Sequence, residues 1–397
     1  MWTYRSVPKI VFGEDALDDL ETLDGQRAVV VSDRTLNRLG FVEKVEDKLN
    51  TAGLDTDVLL DIPNEPTLLS IENLVPELND LRDFQWIVAV GGGSVIDAAK
   101  ALWIRYENPN LLLEEIVPFI DIVTRKKAHF VAIPTTSGTG SEVSWAIVLG
   151  DDDNGRKLEL ASPAAIPDIA IVDPVFPVQM SPILTADTGV DALANSIEAF
   201  TSEWRNAFSD AFALQPIPDI FHYLPQAYND GSNMIARTRM HIAATLSGLA
   251  FTNSQAGLAH SMAHALGAVF HLAHGRAVAI SLPYAMEFNQ RLSKEEGGSD
   301  AVERYSTIGR LIQESGETDS ETASKLVLRL RSLLAQIKEP LCLKDAGIYE
   351  NAFSNQLDRL VTLASESTCT FVNPRTVSTV EFEKLFLCAF EGSSITF

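Results

Sequence analysis

Four of the seven histidines fall within one short stretch, GLAHSMAHALGAVFHLAHG at positions 257 to 275: His260, His264, His271 and His274. His260 and His264 are four residues apart and share one face of a helix. His271 and His274 follow a turn expected near Gly267. Upstream, DTGVDALANSIEAF at 187 to 200 places Asp191 and Asn195 four apart, on one face of another helix. Imidazoles and a carboxylate are the donor set of a divalent cation. Such a cation polarises an alcohol oxygen or an aldehyde carbonyl. The same side chains also serve as helix caps or buried hydrogen-bonding groups, and Asp191 can simply stabilise the start of its helix near Thr188 and Gly189.

A second chemistry is written in two glycine-bearing loops. VAVGGGSVIDAAK, at 88 to 100, runs from an apolar strand directly into Gly91, Gly92, Gly93 and Ser94. Backbone N–H groups in such a turn approach pyrophosphate closely, and the helix that follows adds its positive end. It matches neither GxGxxG nor the GxxxxGK[ST] phosphate loop, so alone it reads equally as a tight turn. IPTTSGTGSE, at 133 to 142, repeats the strand-to-loop transition and supplies the hydroxyls of Thr135, Thr136, Thr139 and Ser141. Together the loops point to a phosphate or dinucleotide ligand. Asp33, after the first apolar run, suits an adenosine ribose and repels an added 2′-phosphate, which favours NAD(H) over NADP(H); capping the next helix is its other reading. Asp97 and Lys100 suit a loop-organising salt bridge. Lys157, in GRKLE, is either a phosphate- or ribose-side cation or a solvated lysine.

These residues need elements to hold them. RAVVVSD (27 to 33), WIVAV (86 to 90) and HFVAIP (129 to 134) read as strands ending in polar loops, and FVEKVEDKLNTAG (41 to 53) as an amphipathic helix with a glycine stop. That order predicts an α/β N-terminal domain with a parallel Rossmann-like sheet over residues 1–178. After AIVDP at 170 to 174 the rhythm becomes helical, with candidates at 184 to 202, 235 to 250, 256 to 269, 299 to 315, 320 to 338 and 376 to 391. A mainly α-helical C-terminal domain, 179–397, follows from it. Pro174, Pro177 and Pro182 punctuate the change.

Composition narrows the function classes. At 46% hydrophobic, the 397 residues can bury two cores. The formal charge of −23 opposes nucleic-acid and anionic-lipid partners. No apolar run is long enough to span a membrane. The N-terminal residues lack the pattern of a secretion signal, so a cytoplasmic location is expected. Cys342, Cys369 and Cys388 form no CxxC pair.

Taken in order, the motifs resemble the iron-containing, or group III, alcohol dehydrogenase family. They are SVPKIVFGEDAL (6 to 17), PNEPT (63 to 67), GGGSVIDAAK (91 to 100), PTTSGTGSE (134 to 142), AIVDP, TGVDALANSIEAF (188 to 200), the histidine stretch and NPR (373 to 375). The resemblance implies the dehydroquinate synthase-like architecture, an α/β dinucleotide domain followed by a helical catalytic and metal-binding domain. It implies Fe²⁺ or Zn²⁺ at Asp191, Asn195, His260 and His274, with Asn195 standing where the family carries a histidine. It places Gly92, Gly93, Ser94, Thr135, Thr136 and Thr139 around the dinucleotide, with Asp33 as the NAD-selecting carboxylate and Lys157 on the cofactor side. His264 is implied near substrate as a proton relay, and Phe251 as a wall of the substrate site; Trp145 shapes an entrance or packs in the core. The implied activity is reversible NAD(P)-dependent conversion of a small alcohol to an aldehyde or ketone, in a homodimer or larger homo-oligomer. Asn195 keeps two alternatives in view: a metal-independent reductase of an activated acidic carbonyl substrate, and a catalytically inactive cofactor-binding homologue. His271 either compensates for the lost ligand or bonds behind it.

Overall fold

The computed structural model describes residues 3–81, 83–291 and 300–397. The chain forms two compact units, 1–180 and 181–397.

The first unit is built on a six-stranded sheet, all of whose pairings are parallel. Its strands are β1 (Lys9–Phe12), β2 (Arg27–Val31), β3 (Asp55–Leu59), β4 (Trp86–Gly91), β5 (His129–Pro134) and β8 (Ile169–Val172), in the order β1-β8-β5-β4-β2-β3. Helices α1 (Arg34–Arg38), α2 (Phe41–Thr51), α3 (Leu68–Asp80) and α4 (Gly93–Glu107) connect them. The apolar runs are continuous because both faces of the sheet are covered. Val29, Val31, Ile87, Ala89, Phe130 and Ala132 pack into one core with α3 and α4. Their chain neighbours Ala28, Val30, Val88, Val90, Val131 and Ile133 pack into a second core with α2. This period-two partition fixes the register: a one-residue slip would exchange the two cores.

An antiparallel hairpin, β6 (Ala146–Asp151) and β7 (Arg156–Ala161), stands apart from the sheet. It falls outside the strands expected from sequence: β6 alternates half-buried and buried residues and β7 buries only Leu160, so neither shows the unbroken burial of the inner sheet strands.

Among its described residues the second unit is helical. It comprises α5 (Pro182–Thr201), α6 (Ala207–Leu214), α7 (Pro216–Asn229), α8 (Met234–Phe251), α9 (Leu258–Phe270), α10 (His274–Asn289), α11 (Ala301–Leu311), α12 (Asp319–Gln336), α13 (Glu350–Glu366) and α14 (Thr379–Glu391). Residue 299, where one expected helix begins, lies outside the described residues. Helix α5 starts with Pro182 behind a Ser181 cap that accepts from the Leu184 amide, and nearly its whole length is buried. The surrounding helices share one apolar core with it. Helices α6, α7, α10 and α13 go beyond those expected from sequence. The turn expected near Gly267 is also corrected: α9 continues to Phe270, and the chain turns at His271, which takes a left-handed conformation (φ 54°) and caps the helix by donating its N–H to Gly267.

Candidate active site

In the first unit, Gly92 caps α4 and Gly93 is its first residue, so the GGGS turn opens directly onto a helix N-terminus at the carboxyl end of β4. A Cβ on Gly93 would lie 2.7 Å from Thr139 Cγ2 and 2.8 Å from its Oγ1; one on Gly92 would lie 3.3 Å from Thr136 Cγ2. Glycine is therefore what lets the two loops touch. The Thr135 amide also donates to the Gly91 carbonyl at 2.9 Å. Ser94 is exposed beside this junction, Thr135 buried, and Thr136 and Thr139 half-buried.

Asp97 and Lys100 hold the second loop. Lys100 is fully buried, and its ammonium donates to Ser141 Oγ (3.1 Å), the Ser144 carbonyl (2.9 Å) and the Ala146 carbonyl (3.1 Å). Asp97 accepts from the Ser141 hydroxyl and, at 2.9 Å, from the Val148 amide. Burial pulls the Lys100 ammonium down to about 8, against the opposing pull of Asp97 and Glu142. The pair therefore serves the loop-organising role expected of it.

Asp33 caps α1: its Oδ1 accepts from the Thr35 amide at 2.6 Å and the Leu36 amide at 2.9 Å. It also borders a groove of about 270 Å³ with Thr35, Pro63 and Asn64. Lys157 sits on β7 and pairs with Glu65 at 3.2 Å. The fold thus brings it to the 63–67 loop that borders the same groove.

The second unit carries the histidine–carboxylate centre. Asp191 is buried on α5, and its Oδ1 stands 3.3 Å from His260 Nε2 on α9 and 3.5 Å from His274 Nε2 at the start of α10. One ligand atom from each of the three lies within 4.8 Å of the others. Two features bring His274 there. The left-handed His271 ends α9 and reverses the chain. Gly275 then lets α10 approach α5 so closely that a Cβ would lie 2.1 Å from the Asp187 carbonyl oxygen. Asn195, one turn along α5 from Asp191, is likewise buried. His271 is exposed and is not one of these three.

Glu198, one further turn along α5, was not among the expected site residues. Its Oε2 meets His260 Nδ1 at 2.5 Å and accepts from the Gly257 amide at 3.0 Å, while its Oε1 accepts from the Ala259 amide at 2.6 Å. It therefore pins the start of α9 and turns His260 Nε2 toward Asp191. The signal was present as a third acid or amide at helical spacing, after Asp191 and Asn195. Burial pulls His260 down, but Glu198 and Asp191 outweigh it and push the imidazole up to about 10. Burial raises Asp191, but His274 and His260 hold it well below the usual carboxylate range.

The His264 ring lies 5.3 Å from that of His274 and 6.1 Å from that of His260, between centroids. Phe251 ends α8, half-buried against the helical core. Trp145 is half-buried, with the Arg5 guanidinium 6.0 Å from its ring.

This donor set fits a metal ion. Asp191 Oδ1 is buried without a hydrogen-bond partner, although two imidazole nitrogens face it. Ligands bound at roughly 2.1 Å on tetrahedral corners stand about 3.4 Å apart, which matches both Asp191–histidine separations. Asp191 and His260 expose 3% and 6% of their side chains, whereas His274 exposes 42%, so the group is open on one side.

A parallel α/β unit with a glycine turn at a strand end, joined in one chain to a helical unit with such a centre, defines a dinucleotide-dependent oxidoreductase class. The family comparisons are specific. Residues 8–174 match the model "Iron-containing alcohol dehydrogenase", and residues 185–390 match "Fe-containing alcohol dehydrogenase family, C-terminal". The chain belongs to the iron-containing alcohol dehydrogenase family and is an NAD(P)-dependent alcohol oxidoreductase. It is 38% identical over 392 residues to the NADPH-dependent butanol dehydrogenase of Clostridium saccharobutylicum, covering 98% of each chain. It is 37% identical to the bifunctional aldehyde-alcohol dehydrogenase AdhE of Escherichia coli, with 95% of this chain matched to 44% of that one. The iron-containing alcohol dehydrogenase of Thermococcus thioreducens superposes with a TM-score of 0.88 at 32% identity, over 99% of this chain and 100% of that one. No helix among the described residues is long and apolar enough to cross a membrane.

Proposed function

We propose that the chain interconverts small alcohols and their aldehydes, with Asp191, His260 and His274 holding Fe²⁺ or Zn²⁺ and NAD(H) favoured over NADP(H). The observation that carries this reading is the unbonded, buried Asp191 Oδ1 with two imidazole nitrogens at tetrahedral-edge distances. A bound divalent ion supplies Lewis acidity toward the substrate oxygen. Asp191 provides the anionic ligand, Glu198 keeps His260 in the tautomer whose Nε2 is free to bind, and Asn195 offers a neutral amide oxygen from the same face of α5.

His264 takes the hydroxyl proton during oxidation and returns it during reduction, while hydride passes between the substrate carbon and nicotinamide C4. Phe251 supplies an apolar wall for the substrate. The amides of Gly92 and Gly93 and the hydroxyls of Ser94, Thr135, Thr136 and Thr139 bind the pyrophosphate side of the dinucleotide. Asp33 accepts from the adenosine ribose, and Lys157 lies on the cofactor side. The butanol dehydrogenase relative supports a short aliphatic substrate. A homodimer or larger homo-oligomer in the cytoplasm belongs to the same proposal.

Elemental mass spectrometry of anaerobically purified protein tests it. Near one iron or zinc per active chain is expected, lost in His274→Ala. His264→Ala should keep the metal while kcat falls about 10²–10⁴-fold. A metal-free wild type with full NADH turnover would overturn the metal assignment and favour the acidic-carbonyl reductase.

A further inference from the structure

The groove beside Asp33 has a second carboxylate and an arginine. Asp33 follows β2 and Asp61 follows β3, and the two form an isolated backbone bridge that sets their side chains at one groove. Arg34 also lines this groove, and its Nε donates to Asp61 Oδ1 at 2.7 Å. The pair is open to water, with 74% of the Arg34 side chain and 48% of the Asp61 side chain exposed. An ion pair so exposed contributes little to folding, so its consequence lies in what the groove admits.

The groove's position ties it to the dinucleotide. In open α/β sheets, ligands bind at the carboxyl ends of the strands where the connections change direction. Here β4 returns to the opposite side of β2 from β3, and Ser32, just before Asp33, donates its hydroxyl to the Val90 carbonyl of β4 at 2.8 Å. The Asp33 groove is thus one strand away from the Gly92–Gly93 turn, at the carboxyl ends of the same sheet.

We infer that Asp61 is a specificity-determining residue for the dinucleotide: it pairs with Arg34 and offsets its charge, which leaves the Asp33 carboxylate uncompensated, so a 2′-phosphate meets net negative charge in this groove. This inference rests on the dinucleotide reading above. With the Asp61 charge removed, Arg34 becomes a fork-shaped phosphate donor in the same groove. A unit charge about 6 Å from a phosphate dianion in water-like surroundings changes affinity about tenfold.

The test is the ratio of dissociation constants for NADPH and NADH, measured by fluorescence titration without substrate. Wild type, Asp61→Asn, Arg34→Ala and the double variant are compared. Wild type should bind NADH more tightly; Asp61→Asn should lower the NADPH/NADH ratio about tenfold, and adding Arg34→Ala should reverse most of that gain. A wild type that prefers NADPH, or an unchanged ratio in Asp61→Asn, overturns the role of Asp61. A gain that survives loss of Arg34 overturns the part assigned to the arginine. Wild type that binds neither dinucleotide overturns the cofactor reading itself.

Discussion

Glu198→Gln tests the centre most directly, because the substitution keeps size and removes only charge and one acceptor. Glu198 takes contacts from three partners: the Gly257 amide, the Ala259 amide and His260 Nδ1. A glutamine offers one oxygen and one NH₂, and the NH₂ cannot accept from an N–H. If the amide nitrogen takes the Oε1 place, the Ala259 amide is left unpaired, at a stability cost of about 1–3 kcal/mol. If it takes the Oε2 place, the Gly257 amide loses its acceptor too, and Nδ1 must become an acceptor so that Nε2 carries the hydrogen, which prevents Nε2 from binding a metal. Loss of such a histidine-orienting partner typically lowers metal affinity about 10–100-fold, or about 1.4–2.7 kcal/mol. The assay is a zinc or iron competition titration against a chelator, with thermal unfolding of the metal-free protein alongside. Metal affinity and metal-free stability both equal to wild type would refute the account of Glu198.

Gly275→Ala should destabilise the protein by about 1–3 kcal/mol, since the added methyl would lie 2.1 Å from the Asp187 carbonyl oxygen; it should also weaken metal binding by moving His274, and denaturant unfolding with metal analysis reads both. A pH dependence is expected from Glu339, which burial and the neighbouring Asp187 carboxylate push up to about 8, against Arg276. For an acid whose folded pKa is raised, the contribution is fully present below its unfolded value near 4.5 and is lost as pH rises through about 8, because the unfolded chain gives up its proton first. Relative to wild type, Glu339→Gln should therefore melt progressively higher as pH is raised from 5 to about 8, and a constant difference across that range would contradict the raised Glu339 pKa.

Much of the site was legible because its spacing is local. A strand running straight into three glycines, Asp191 and Asn195 one helical turn apart, and His260 and His264 at the same interval are patterns carried within a few residues. The parallel sheet was legible for a related reason: strands covered on both faces read as unbroken apolar runs. Helix α10 was not, because all its residues from Gly275 to Asn289 except Arg276 are buried, so no polar face marks a helical period, and Pro283 interrupts the pattern.

What only the tertiary structure decided is which distant groups converge. Glu198 finds His260 across 62 residues, and no local spacing encodes that pairing. Asp61 reaches Arg34 because β3 lies beside β2, and His274 reaches Asp191 because Gly275 lets two helix backbones nearly touch. The sequence by itself determined the kinds of donor, the loops that present them and the class of chemistry. Packing determined which donors share one point in space, since contacts between elements depend on the whole set of buried faces rather than on any single stretch of chain.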